Sequence, residues 1–81
     1  MRELLAYLVN NIVEYPDEVQ IDESERDGET LFEVRVAQSD MGRLIGRAGR
    51  TAKDLRVLVR ALAAKEGKRV SVDIIDTGET A

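Results

Sequence analysis

"MGRLIGRAGRTAKDLR", Met41 to Arg56, places three glycines, five basic residues and one acid in sixteen positions. The chain around it is acidic: 81 residues carry 12 basic and 16 acidic side chains, a net charge of −4. The imbalance is sharply regional. Residues 1–41 hold three basic and eleven acidic groups (−8), residues 42–70 nine basic and two acidic (+7), and residues 71–81 three acidic (−3). Charges in water are screened over about 8 Å at physiological salt, so an anion beside residues 42–70 meets a local positive field. The acidic remainder reads as a solubilising face that discourages indiscriminate binding to polyanions.

Working outward, composition limits what this segment can do. With 43% hydrophobic and 35% charged residues, the chain reads as a single small globular domain spanning 1–81, α+β by the order of its elements, with residues 77–81 a frayed polar tail. It has neither cysteine nor histidine, which removes disulfides, thiol catalysis, zinc ribbons and the usual general base. No cluster of Asp or Glu has metal spacing, and "DESERD" (22–27) reads as a charged hairpin end. The expectation is therefore a non-enzyme with no cofactor, no metal and no small-molecule substrate. In the opening "MRELLAYLVNNIV", Glu3, Asn10 and Asn11 break the apolar run, so it is neither a signal peptide nor a membrane span, and the protein is read as cytoplasmic.

Periodicity assigns the elements. Leu4, Leu5, Leu8, Val9, Ile12 and Val13 share one side of a helical wheel over 3–14, and Tyr15-Pro16 stops that helix. Val19 and Ile21, the Asp27-Gly28 turn, then Phe32, Val34 and Val36 alternate as a β-hairpin. Ser39 is the predicted N-cap of a short helix through Leu44. A longer helix follows over 50–65, ended by Gly67, and a last strand over 69–75 turns Val70, Val72 and Ile74 to one face. The order α-β-β-α-α-β predicts a three-stranded mixed sheet, a hairpin plus one parallel strand, with three helices on one face.

Between the two central helices, Gly42, Gly46 and Gly49 fit no nucleotide-binding fingerprint. A Walker A loop needs GxxxxGK and then Ser or Thr, Gly42-x-x-x-Gly46-x-x-Gly49 is not GxGxxG, and 81 residues are too few for a dinucleotide fold. Arg43 interrupts any membrane-dimer reading of Gly42-x-x-x-Gly46. A helix C-cap and tight turn would explain the glycines but not the arginines. A phosphate clamp explains both: a sugar-phosphate backbone can approach main chain that lacks side chains, at the positive end of the following helix. Arg47 and Arg50 add charge there, and Arg43 and Lys53 complete a positive collar.

"LIGRAGRTAKDLR" (44–56) resembles the (I/V)-I-G-x-x-G motif of KH domains, and α-β-β-α-α-β is the element order of the type II KH fold. In that family the GxxG loop clamps about four single-stranded nucleotides. The resemblance covers nearly the whole chain and is greatest to small bacterial single-KH proteins of the KhpA type. It implies single-stranded RNA binding through Gly46, Arg47, Ala48 and Gly49. It further implies a homodimer, or a pairing with a larger KH-containing RNA-binding protein, in post-transcriptional control of cell shape and division. Ala52 departs from the pattern, standing where many KH domains carry a bulky aliphatic residue. Ile45 is a groove residue by the resemblance, and ordinary core is the equal alternative.

The long helix carries two further faces. Leu55, Val59, Leu62, Ala52 and Ala63 form the core arc, and Arg56, Arg60 and Lys53 a neighbouring basic arc that could track phosphates or simply be solvated. Val57, Leu58 and Ala61, with Ala64, make an apolar strip opposite the core and a candidate dimer interface. The rival to RNA binding is accordingly a protein-interaction adaptor that uses a KH-like fold for dimerisation and docking.

Overall fold

The computed structural model describes residues 1–76; the proposed frayed tail lies outside them. Helix α1 spans Arg2–Ile12, strands β1 and β2 span Gln20–Arg26 and Glu29–Arg35, helix α2 spans Met41–Ile45, helix α3 Arg50–Lys65, and strand β3 Arg69–Ile74. The sheet order is β1-β2-β3. β1 pairs antiparallel with β2, and β2 pairs parallel with β3. The two helices between β2 and β3 supply the crossover that a parallel pair requires.

Alternation in the strands selects the buried face. Ile21, Phe32, Val34, Val70 and Val72 are buried against Leu5 and Val9 of α1, Leu44 of α2, and Leu55, Val59 and Ala63 of α3. Their neighbours in sequence, such as Asp22, Glu33 and Asp73, fall on the other face, where Arg35 pairs with Asp22 at 2.6 Å. All three helices therefore cover one side of the sheet. Ala52, the residue that departs from the KH pattern, is also buried, on the inner side of the first turn of α3.

Both outer edges of the sheet are capped by arginine. Arg2 Nη2 donates to the Ile21 carbonyl on β1 at 2.6 Å, and Arg56 Nε donates to the Val72 carbonyl on β3 at 3.0 Å. Edge strands present unpaired backbone groups that can template association, and here a charged side chain occupies part of each edge.

Three local expectations need correction. The first helix ends at Ile12, not residue 14, because Val13 is extended (φ −88°, ψ 160°) and turned into the core. A single 3-10 turn, Pro16–Glu18, then leads into β1. Ser39 does not cap a helix: it is exposed within a 3-10 turn, Gln38–Asp40, and α2 starts after it with no side-chain cap. The last strand ends at Ile74, although the Ile75 amide still donates to the Val34 carbonyl at 2.9 Å. The long helix has the predicted bounds, and its C-terminal turn closes at Gly67, whose amide bonds to the Ala64 carbonyl at 3.0 Å.

Candidate nucleic-acid interface

The segment between α2 and α3 is shaped by two left-handed or near-left-handed backbone positions that glycine fills and one that it does not. Gly46 has φ 79° and ψ 173°, a region essentially closed to other residues. A Cβ built there would lie 2.6 Å from Thr51 Cβ and 2.8 Å from the Thr51 backbone nitrogen, and closer still to Thr51 Oγ1. Gly46 is thus required twice, by conformation and by the approach of the first turn of α3. Gly49 (φ 77°, ψ 10°) is the N-cap of α3, and a Cβ on it would meet nothing within 4 Å. Ala48 is also left-handed (φ 57°, ψ 25°), a conformation that costs an L-residue about 1–2 kcal/mol. Hydrogen bonds hold the bend: the Gly46 amide to the Gly42 carbonyl at 2.9 Å, and the Gly49 amide to the Gly46 carbonyl at 3.1 Å.

What the bend presents to solvent is cationic. Arg47, Ala48, Arg50 and Lys53 are exposed, and Gly46 and Gly49 are partly so. Ion pairs engage Arg2, Arg35, Arg43 and Lys68, so among the described residues Arg47, Arg50 and Lys53 have no carboxylate partner. Ahead of them stand the first backbone amides of α3, which have no carbonyl four residues back in the helix and sit at its positive end. Ile45, last residue of α2, is 36% exposed; the structure places it at the surface beside the bend and not in the core.

Arg43 is placed differently from the other four basic residues of the segment's start. Its Nη2 lies 3.2 Å from Glu14 Oε1 and its Nε 3.4 Å from Asp40 Oδ1. Two carboxylates thus share its charge, although its side chain remains half-exposed at 53%. Asp40, which sequence patterning did not single out, is fully buried, and its two oxygens accept the amides of Glu14 and Tyr15 at 2.9 and 3.0 Å. It ties the beginning of the α1–β1 connection to the start of α2, and so fixes the helix that leads into the bend. A carboxylate three residues before an arginine was the only trace of this in the sequence.

On α3, Ala52, Leu55, Val59 and Ala63 are buried, while Leu62 is half-buried. Lys53 and Arg60 are exposed. Arg56, through its bond to Val72, holds the basic arc alongside the outer border of β3. Val57 and Leu58 stay 55% and 43% exposed, with Ala61 and Ala64 also at the surface. Surface clefts of about 320 and 310 Å³ occur at the opposite end of the sheet from the bend, one lined by Arg60, Lys68 and Arg69, the other by Ser24, Arg26 and Leu31. Among the described residues no helix is long and apolar enough to cross a membrane.

A three-stranded mixed sheet covered on one face by three helices, with a GxxG bend joining the second and third, defines a type II KH domain. Comparison with known proteins agrees: the model of the KhpA/KhpB KH domain matches residues 2–74, and the chain belongs to that family. It is similar to the RNA-binding protein KhpA of Leifsonia xyli subsp. xyli, 53% identical over 72 residues that cover 89% of this chain and 92% of that protein. The RNA-binding protein KhpA of Clostridium acetobutylicum is 44% identical over 75 residues, 93% of this chain and all of that protein. That of Borreliella burgdorferi is 43% identical over 74 residues, 91% and 90% respectively. The family is one of bacterial RNA-binding proteins and not of enzymes.

Proposed function

We propose that this chain is a non-catalytic cytoplasmic protein that holds short single-stranded RNA at the Gly46-Arg47-Ala48-Gly49 loop, as a dimer or with a larger KH-containing partner, in post-transcriptional regulation. The observation that carries the reading is the juxtaposition of two side-chain-free positions with Arg47, Arg50 and Lys53, none of them ion-paired among the described residues. A phosphodiester can approach the main chain at Gly46 and Gly49, meet the amides of the first turn of α3, and be neutralised by those cations. Arg43 contributes from the flank, with its charge already shared. Bases then lie toward Ile45 and the border between α3 and β3, where aliphatic contact replaces the aromatic stacking that a chain with 4% aromatic residues cannot supply widely.

The test is the double variant Arg47→Asp/Ala48→Asp. Aspartate tolerates the left-handed conformation better than alanine does, so the bend keeps its shape while two negative charges face the RNA. Loss of binding to single-stranded RNA in a folded protein is the result expected, and retention of wild-type affinity overturns the clamp. With about three phosphates neutralised, log K falls against log salt with a slope of roughly −2.

A second reading rests on Val57 and Leu58. Two exposed aliphatic side chains beside Ala61 on one helix suit close packing against a second copy or a KH partner. If the protein is chiefly an adaptor, disrupting this strip abolishes activity and the loop variant changes little.

A further inference from the structure

The bond from Arg56 to Val72 sets α3 along the free border of β3, and the charge on that border does not stop where the clamp does. One helical turn beyond Arg56, Arg60 lines a cleft of about 320 Å³ together with Glu29, Lys68, Arg69, Val70 and Ser71. Arg60 and Arg69 are exposed and have no ion-pair partner among the described residues, and Lys68 lies 3.8 Å from Glu66 in an exposed pair. Against these three cations stands one carboxylate in the cleft, Glu29, whose Oε2 accepts a hydrogen bond from Ser71 Oγ. The cleft therefore keeps a net positive charge of two.

It lies at the far end of the sheet from the loop, and α3 joins the two by a run of cations. α3 rises about 1.5 Å per residue, which puts Arg60 roughly 15 Å along the axis from Arg50, with Lys53 and Arg56 between. The strand offers a matching line of backbone groups. The Ile75 amide faces β2, while the Val72 carbonyl faces outward to Arg56, so by alternation Val70 also turns its amide and carbonyl to the free border. A polyanion leaving the loop finds cations and backbone polar groups in this direction.

We propose that the cleft at Lys68 and Arg69 is a second backbone-binding site for single-stranded RNA, engaging phosphates beyond the nucleotides held at the Gly46–Gly49 loop. The inference rests on the RNA-clamp reading above and lengthens its footprint. A KH loop accounts for about four nucleotides; the cleft adds contacts that only a longer strand can reach.

Fluorescence anisotropy with oligouridylates of about four and roughly ten nucleotides separates the two readings. For Lys68→Gln/Arg69→Gln, which brings the cleft to neutrality at exposed positions, affinity for the long strand falls about tenfold and its salt slope weakens by about 1.4, the share of two phosphates. Affinity for the short strand stays within about twofold of wild type. Glu29→Gln, which removes the opposing charge, tightens the long strand only. An unchanged affinity and slope on the long strand overturns the second site. So does an equal loss on both strands, which would place these residues in the clamp. If Arg47→Asp/Ala48→Asp abolishes short-strand binding while Lys68→Gln/Arg69→Gln changes nothing, the clamp stands and the extension alone fails. If wild-type protein binds neither strand, both fall.

Discussion

The carboxylate of Asp40 accepts the backbone amide of Tyr15 across 25 residues of sequence, at 3.0 Å and wholly out of contact with solvent. It does the same for Glu14 with its other oxygen, and Arg43 stands 3.4 Å away. One side chain thereby anchors the turn that ends α1 and the helix that delivers the glycine bend.

Removing it leaves two part-buried amides without their acceptor, and a hydrogen bond to a charged group is worth about 1.5–3 kcal/mol. Asp40→Ala therefore lowers unfolding free energy by about 3 kcal/mol, read by urea denaturation. In a domain of this size that is a large part of the total, and Asp40→Asn, which keeps one acceptor, loses less. Arg43→Ala is milder than either, because the two amides continue to satisfy the carboxylate.

Gly46 and Gly49 separate by a different physical cause. Gly46→Ala destabilises by about 3 kcal/mol or more, since it combines a forbidden backbone region with overlap on Thr51. Thr51→Ala does not rescue it, because Thr51 Cβ and the backbone nitrogen are themselves too close. Gly49→Ala costs only the left-handed penalty of about 1 kcal/mol. Thermal unfolding of the two single variants and the double gives the ordering.

Ala48 is held left-handed without glycine's freedom. Ala48→Asn therefore gains a few tenths of a kcal/mol, and the β-branched Ala48→Val loses about 1–2 kcal/mol. Equal denaturation midpoints for the two would show that the bend does not keep this geometry in solution.

Self-association through α3 is checked by static light scattering. The wild-type protein runs as a dimer at micromolar concentration, and Leu58→Asp, at a position 43% exposed in the monomer, runs as a folded monomer. A wild-type monomer, or unchanged mass in the variant, removes the interface.

Most of the architecture was legible because it rests on two periodicities. Leu55, Val59 and Ala63 repeat at four and identify a helix, and Phe32 and Val34 alternate and identify a strand. The bend was legible from glycine spacing and the cations around it. What escaped depended on contacts between distant segments: Asp40 looks like any acidic turn residue until the fold brings Glu14 and Tyr15 to it. Ser39 satisfies the local rule for an N-cap, whereas a 3-10 turn carries the chain past it and the neighbouring carboxylate is drawn inward instead. Arg43 looked equivalent to Arg47 and Arg50, and only three dimensions show that its charge is largely answered by Glu14 and Asp40. Ile45, for which sequence offered two homes, sits at the surface.

Guanidinium groups stopper the two lateral margins of the sheet, Arg2 on one flank and Arg56 on the other. Lengthening the sheet by recruiting a neighbour's strand would first have to dislodge a cation from a carbonyl on either flank. Ribbons and fibres, which grow by lateral accretion, are thereby opposed at both flanks.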